Sequence, residues 1–380
     1  MNNKKNFNIY IFLSSFSRNL IEVFIGTILL KNGYSLHDVI FYYLLINIFS
    51  TILYVPCIAL GKKYSNKLLS VIGVFSFILL QIFLNFITTK SGYLYVIAFL
   101  FALYRRTYWI ARRYYTLQII DDKKNVSKMF SVLSIINQIS IIISSYVGSL
   151  LLQFLNIKII TIISIALLAI SLYYMFKVDY SEYEKNNIKI KVSEMLKCIP
   201  KSSIIHIACF ELQYIIKLLF PLYIVLYVKN TYTAIGGVNL IVNIATLVFV
   251  YLYGRLINNK RNYLKLSIVL VIIIKIIQIN TSGILLMIVS FMEGFISKMY
   301  EQSFNKNSLI LSKRFEFNNY NFIYETIQNI SRLVVFIMIY LFIPDIKNMI
   351  YFTLFFISIC LLVNFKIDTN CNDSSVIWKN

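Results

Sequence analysis

The sequence predicts an all-α integral membrane protein: twelve transmembrane helices in two six-helix pseudo-repeats. Three observations carry this. Hydrophobic residues make up 59% of the 380 positions and charged residues only 14%, against roughly 25% charged in a soluble domain. The chain also resolves into twelve apolar runs of about 20 residues, the length needed to cross a bilayer: 8–30, 39–60, 68–88, 93–113, 129–152, 158–177, 203–228, 236–255, 264–281, 283–304, 320–343 and 347–365. Finally, basic residues alternate between the two sides. With both termini cytoplasmic, the inner segments hold 25 Lys and Arg, and the outer loops five (Lys31, Lys90, Lys158, Lys229 and Lys347). One helix more or fewer would scramble that alternation. The net charge of +21 therefore reads as membrane topology. It does not read as a nucleic-acid surface, because the cations punctuate apolar runs.

Taken in order, the chain opens with MNNKKNFNIYIFLSS. This resembles a signal peptide but lacks a small-residue cleavage site and stays apolar to Leu30, so a retained helix is expected. The first span holds Arg18 and Glu22, four apart and able to pair on one helix face. The second holds Pro56. The fourth, within Phe99–Lys128, carries Arg105 and Arg106 well inside the run. It ends at Arg112 and Arg113, expected as interfacial anchors. Arg105, Trp109 and Arg112 share one face. A charge near mid-membrane costs roughly 2.5–3.5 kcal/mol on insertion scales and usually faces a protein interior or watery cavity. The fifth span brings a stripe of Ser134, Asn137, Gln138, Ser140 and Ser144, and polar stripes also simply join helices.

A charged stretch at mid-chain separates the halves. The expected organisation is 1–177 for the first half, 178–202 for a cytoplasmic linker, 203–366 for the second half and 367–380 for a cytoplasmic tail. The seventh span carries Glu211, Lys217 and a kinking Pro221. Lys275 stands alone in the ninth, read as a packing or lipid-edge position rather than a ligand. The tenth has Glu293 and Lys298. In the eleventh, Glu325, Gln328, Asn329 and Arg332 line one stripe. The five cysteines show no paired spacing, so neither disulfides nor zinc are expected. His37 and His206 have no metal partner in sequence, and His206 reads as packed. No nucleotide-binding loop, zinc-protease motif or serine-nucleophile motif occurs, so no cofactor, metal or catalytic residue is expected.

The halves repeat internally. Gly61-Lys62-Lys63 follows the second span and Gly254-Arg255 the eighth, 193 apart. Asn137-Gln138-Ile139-Ser140 matches Gln328-Asn329-Ile330-Ser331 at 191, and Arg105 plus 193 reaches Lys298. Six-helix halves of this kind recur in secondary transporters. The Gly-plus-basic inner turns, the central basic loop and the twelve spans together resemble the major facilitator superfamily over about 8–365. Gly61 and Gly254 match the first glycine of that family's inner-turn motif, while Ser65 and Asn258 stand where the motif has Asp. Arg105 or Arg106 fits the family's intramembrane arginine in the fourth span, and Gly148 in GSLL is similar to its fifth-span glycine motif.

The resemblance implies secondary active transport of a small solute by alternating access, with the substrate site between the halves near mid-membrane. Seven cations lie well inside spans, away from their ends (Arg18, Arg105, Arg106, Lys217, Lys275, Lys298 and Arg332), against four acids so placed (Glu22, Glu211, Glu293 and Glu325). That excess favours an anionic or zwitterionic substrate. The expected binding residues are Arg18, Arg105, Arg106, Trp109, Asn137, Gln328 and Arg332. Glu22, Glu211 and Glu325 are expected to couple protons, and Gly61 and Gly254 to form gating turns. The expected partners are a small-molecule substrate, a proton or other coupling ion and the lipid bilayer, with no nucleic acid. A monomer in the cell membrane is expected, with uptake and efflux equally open. Three alternatives stay open at this point: multidrug efflux of lipophilic compounds, a lipid or polymer flippase of another fold, and a membrane-embedded enzyme.

Overall fold

A computed structural model describes residues 2–87, 91–120, 126–178, 199, 201–256, 264–314 and 317–370. Nearly all of the 178–202 linker and the tail from 371 lie outside the described residues. Among the described residues there is helix and no strand, as lipid requires of any structure that must satisfy its backbone within each segment. Twelve helical rods match the twelve expected spans. The first is broken, into α1a (Asn2–Asn19) and α1b (Ile25–Lys31). The others are α2 (Leu36–Lys63), α3 (Asn66–Leu84), α4 (Ser91–Ile120), α5 (Val126–Phe154), α6 (Ile157–Phe176), α7 (Lys201–Tyr223), α8 (Tyr232–Leu256), α9 (Leu264–Ile279), α10 (Gly283–Arg314), α11 (Phe317–Phe342) and α12 (Ile346–Asn370). Among the described residues, ten rods are long and apolar enough to cross a membrane. Of the remaining two, α4 is crowded with arginines and α9 has only 16 residues. Large apolar side chains such as Phe75, Ile162, Ile284 and Leu362 are exposed, as a lipid-facing surface demands.

Helix ends follow their local sequence. Ser35 opens α2 with a capping box: its hydroxyl accepts from the Asp38 amide at 3.1 Å, and Asp38 accepts from the Ser35 amide at 3.0 Å. Ser65, standing where the family motif has Asp, caps α3 by accepting from the Leu68 amide at 3.1 Å. Asn156 does the same for α6 through the Lys158 amide.

The described chain divides into two compact units, Met1–Asn186 with Pro221–Asn259, and Asn187–Phe220 with Lys260–Asn380. In the first unit, helices approach through small residues. A Cβ at Gly73 of α3 would lie 2.8 Å from Thr107 Oγ1 of α4. One at Gly236 of α8 would lie 2.0 Å from Ser149 Oγ of α5. Gln138 Nε2 of α5 also donates to Asn243 Oδ1 of α8 at 2.7 Å, so α8 packs with the first unit. Ser17 on α1a and Ser164 on α6 meet hydroxyl to hydroxyl at 2.6 Å, and Ser140 donates to the Phe12 carbonyl at 2.8 Å.

The first span departs from the expected continuous helix. Leu20 and Ile21 leave the α-conformation, and Glu22–Phe24 form a 3-10 turn. No Pro or Gly lies at the break. The break lies against α5: a Cβ at Gly148 would lie 2.4 Å from the Leu20 carbonyl oxygen. In α7 the helix runs through Pro221 to Tyr223 and then widens into a π turn, Ile224–Val228. This is one of the recognised ways a helix absorbs an internal proline.

In the second unit, aromatic rings stack between α7, α10 and α11: Phe210 on Phe304 at 4.6 Å, and Phe304 on Tyr324 at 6.1 Å. Lys275 is not solitary. It is buried and pairs with Glu293 of α10 at 3.2 Å, donates to Gln278 at 2.8 Å and lies 4.4 Å above the Phe220 ring. Glu293 also accepts from Ser297 at 2.8 Å. Lys298 pairs one turn along its own helix, with Glu301 at 2.8 Å.

Candidate substrate-binding centres

Two charged centres sit within the helices, one in each unit. The first is built from α1a, α4 and α5. Arg18 pairs with Glu22 at 3.0 Å across the break in the first span. A straight helix would also bring residues four apart together; here the 3-10 turn preserves that meeting. The Arg18 guanidinium lies 5.5 Å from the Tyr108 ring and 5.6 Å from Trp109. Arg112 lies 4.9 Å from the same Trp109 ring and donates to the Tyr108 hydroxyl at 3.1 Å. Its second amino group donates to Asn137 Oδ1 at 3.2 Å, which also accepts from the Ser15 hydroxyl at 2.7 Å. Two guanidiniums thus share one pair of rings, with the Glu22 carboxylate beside Arg18. Trp109 is 37% exposed while Tyr108 is buried, so the centre has an open side and a closed one.

Of the residues expected here from sequence, Arg18, Glu22, Trp109 and Asn137 come together. Arg106 does not join them. It is buried, donates through Nε to the Ser50 carbonyl at 2.8 Å and lies 5.2 Å over Tyr54, both on α2. Arg105 is half-buried one turn before Trp109. Arg112, expected as an interfacial anchor, belongs to the centre. Its position on the Arg105–Trp109–Arg112 face was the signal. Tyr108 and Ser15 carried no signal beyond helical spacing.

The second centre joins α7 and α11. Glu211 accepts from Arg332 Nε with one oxygen and from Gln328 Nε2 with the other. Both members of the ion pair are buried. The Arg332 guanidinium lies 5.4 Å over the Tyr214 ring. Its Nη1 is buried with no hydrogen-bond partner among the described residues. An unsatisfied buried donor is costly unless something supplies an acceptor. Glu325, two turns before Arg332, is buried on the same helix. Gly61 lies in the last turn of α2, where a Cβ would come 2.7 Å from a Leu69 side-chain carbon. Gly254 lies in the last turn of α8. No group of three or more His, Cys, Asp and Glu among the described residues is placed to hold a metal ion.

Comparison with known proteins decides the family. A model of the Major Facilitator Superfamily matches residues 7–335. The chain belongs to the major facilitator superfamily. It is accordingly a multi-pass membrane transporter and not an enzyme. Solved structures with the same fold include the nucleoside transporter NupG, at 14% identity and TM-score 0.69 over 98% of this chain and all of that one. A bacterial homologue of the iron transporter ferroportin, in its inward-facing state, matches at 14% and 0.68, over 96% and 98%. A bacterial metal transporter matches at 14% and 0.64, over 97% and 99%. At such identity these relatives establish the facilitator fold alone. A search of curated protein sequences returns no significant match.

Proposed function

We propose that this facilitator moves a small anionic or zwitterionic solute across the cell membrane by proton-coupled alternating access, with both termini cytoplasmic. One observation carries the substrate class: Arg18 and Arg112 crowd the same Tyr108 and Trp109 rings, two cations against the Glu22 carboxylate among the described residues. In a low-dielectric site a cationic excess attracts anions and repels cations. Arg guanidiniums bind carboxylate and phosphate through parallel hydrogen bonds, and Asn137 holds the Arg112 fork in place. A zwitterion would set its ammonium against Glu22. The Nη1 of Arg332 offers a further hydrogen-bond donor to an acceptor group in the second unit. Glu22, with 24% of its side chain exposed, is the most accessible proton carrier of the three acids expected from sequence; Glu211 and Glu325 are buried.

A thermal-stability screen of the purified protein tests this, using anionic, zwitterionic and cationic metabolites and lipophilic drugs. A ligand that binds only the folded state at a hundredfold excess over Kd adds about 2.7 kcal/mol. The expected result is an anionic or zwitterionic hit that Arg112→Ala removes. Hits confined to lipophilic cations would overturn the reading and favour drug efflux.

A further inference from the structure

Two cysteines that take no part in either centre meet between α7 and α12. Cys209 is wholly buried and Cys360 is partly exposed. The two thiols lie close enough to interact. A second contact sets the register independently. His206 Nε2 and the side-chain nitrogen of Asn364 are 3.0 Å apart. His206 lies three residues before Cys209, and Asn364 four after Cys360. One turn forward on α7 is therefore one turn back on α12, the register of antiparallel neighbours, which sets Cys209 opposite Cys360. Tyr300 closes the third side: its hydroxyl donates to the His206 carbonyl at 3.0 Å and its ring lies 6.2 Å from Phe210.

We propose that Cys209 and Cys360 form a redox-sensitive pair, which hydrogen peroxide converts to a disulfide tying α7 to α12. Cys360, the more accessible thiol, attacks first. Its sulfur bonds to one peroxide oxygen as the O–O bond breaks, and the departing hydroxide takes the thiol proton to become water. The Cys209 sulfur then attacks the sulfenic sulfur. An S–S bond forms, the S–O bond breaks, and hydroxide leaves with the Cys209 proton as a second water. The two sulfurs have given two electrons to one peroxide. The product carries no charge and no polar hydrogen, so burial among apolar helices does not penalise it. The contact also explains why sequence spacing was silent here: 151 residues separate the partners, and only helix register brings them together.

The test uses the full-length protein in phosphatidylcholine vesicles. It is treated with hydrogen peroxide, free thiols are blocked with N-ethylmaleimide, and the digest is mapped by mass spectrometry. The expected product is a Cys209–Cys360 cross-linked peptide that dithiothreitol reverses. It should be absent from Cys209→Ser, where Cys360 should instead be trapped by dimedone as its sulfenic acid. Cys57, buried on α2, should stay reduced throughout. The proposal is overturned if Cys209 and Cys360 both carry N-ethylmaleimide after peroxide. It is equally overturned if Cys360 links to Cys198 or Cys371, or if Cys209→Ser traps no sulfenic acid at Cys360. The wild-type map decides the disulfide even if a serine variant fails to fold.

Discussion

Arg332 and Glu211 illustrate how a buried charge depends on its partner. The pair is enclosed, and Gln328 satisfies the second carboxylate oxygen. Removing one partner leaves an uncompensated charge, typically costing about 3–5 kcal/mol, whereas replacing both with apolar residues of similar size is often neutral. Arg332→Ala is therefore expected to destabilise the protein by about 3–5 kcal/mol in denaturant titrations in micelles. The double change Arg332→Met, Glu211→Leu should recover most of that loss without restoring ligand binding. A double change as unstable as the single would show that the pair contributes more than mutual neutralisation. Between the arginines of α4, the contacts separate two roles. Arg112 reaches the exposed Trp109 and Asn137; Arg106 reaches a backbone carbonyl of α2. A lost hydrogen bond to a charged group is worth about 1.5–3 kcal/mol, so Arg112→Ala should weaken binding of the screened ligand by roughly ten- to a hundredfold. Arg106→Ala should lower the melting temperature while leaving affinity nearly unchanged, a split that isothermal titration and thermal unfolding would read separately.

At the scale of the element, the break in the first span packs directly on the α5 backbone. A methyl at Gly148 would sit 2.4 Å from the Leu20 carbonyl oxygen, within 3.0 Å of two more Leu20 backbone atoms. Backbone cannot yield as a flexible side chain does. Gly148→Ala is expected to cost about 1–3 kcal/mol, as overpacking does in a filled core. It should also disturb the Arg18–Glu22 pair that spans the break. Gly61→Ala, whose new methyl would meet the Leu69 and Asn66 side chains and no backbone, should be far milder; equal losses at both sites would discredit this account. The same element shows what sequence could and could not tell. That residues 8–30 form a span follows from local apolarity, and the pairing of Arg18 with Glu22 from a spacing of four. The break at Leu20–Ile21 lacks Pro and Gly, so nothing local announced it. Lys275 looked solitary because its partner Glu293 lies on the next helix. Glu211 and Arg332 are 121 residues apart, beyond the reach of any periodicity argument. Local solvent sorting could be read from one chain segment at a time; the pairing of charges depends on which helices become neighbours.

At the scale of the whole molecule, the facilitator's arrangement in the membrane rests on charge. Lys and Arg held near a span resist translocation, so short loops rich in them stay cytoplasmic. The Gly61–Lys67 turn carries three lysines, whereas the loop containing Lys229 carries that one cation. Both Lys63 and Lys229 are exposed, so neither position would hide a probe. Consider Lys63→Cys and Lys229→Cys, each in a chain where Cys198, Cys360 and Cys371 are Ser and the buried Cys57 and Cys209 are retained. In intact cells a membrane-impermeant maleimide should label Cys at 229 and spare Cys at 63 until the membrane is opened. Labelling of both positions in intact cells would mean that 63 and 229 share a side, which twelve alternating spans forbid. The reverse pattern would keep the twelve spans but turn the protein over. The Gly-plus-basic turns after α2 and α8 would then face outward, and the assignment of Gly61 and Gly254 to inner gating turns would fall with them. Each outcome acts on a different premise. Label at 229 alone supports the count and the orientation together, because an even number of spans with basic inner turns is the one arrangement that keeps 25 of the 37 basic residues on the side that resists their export.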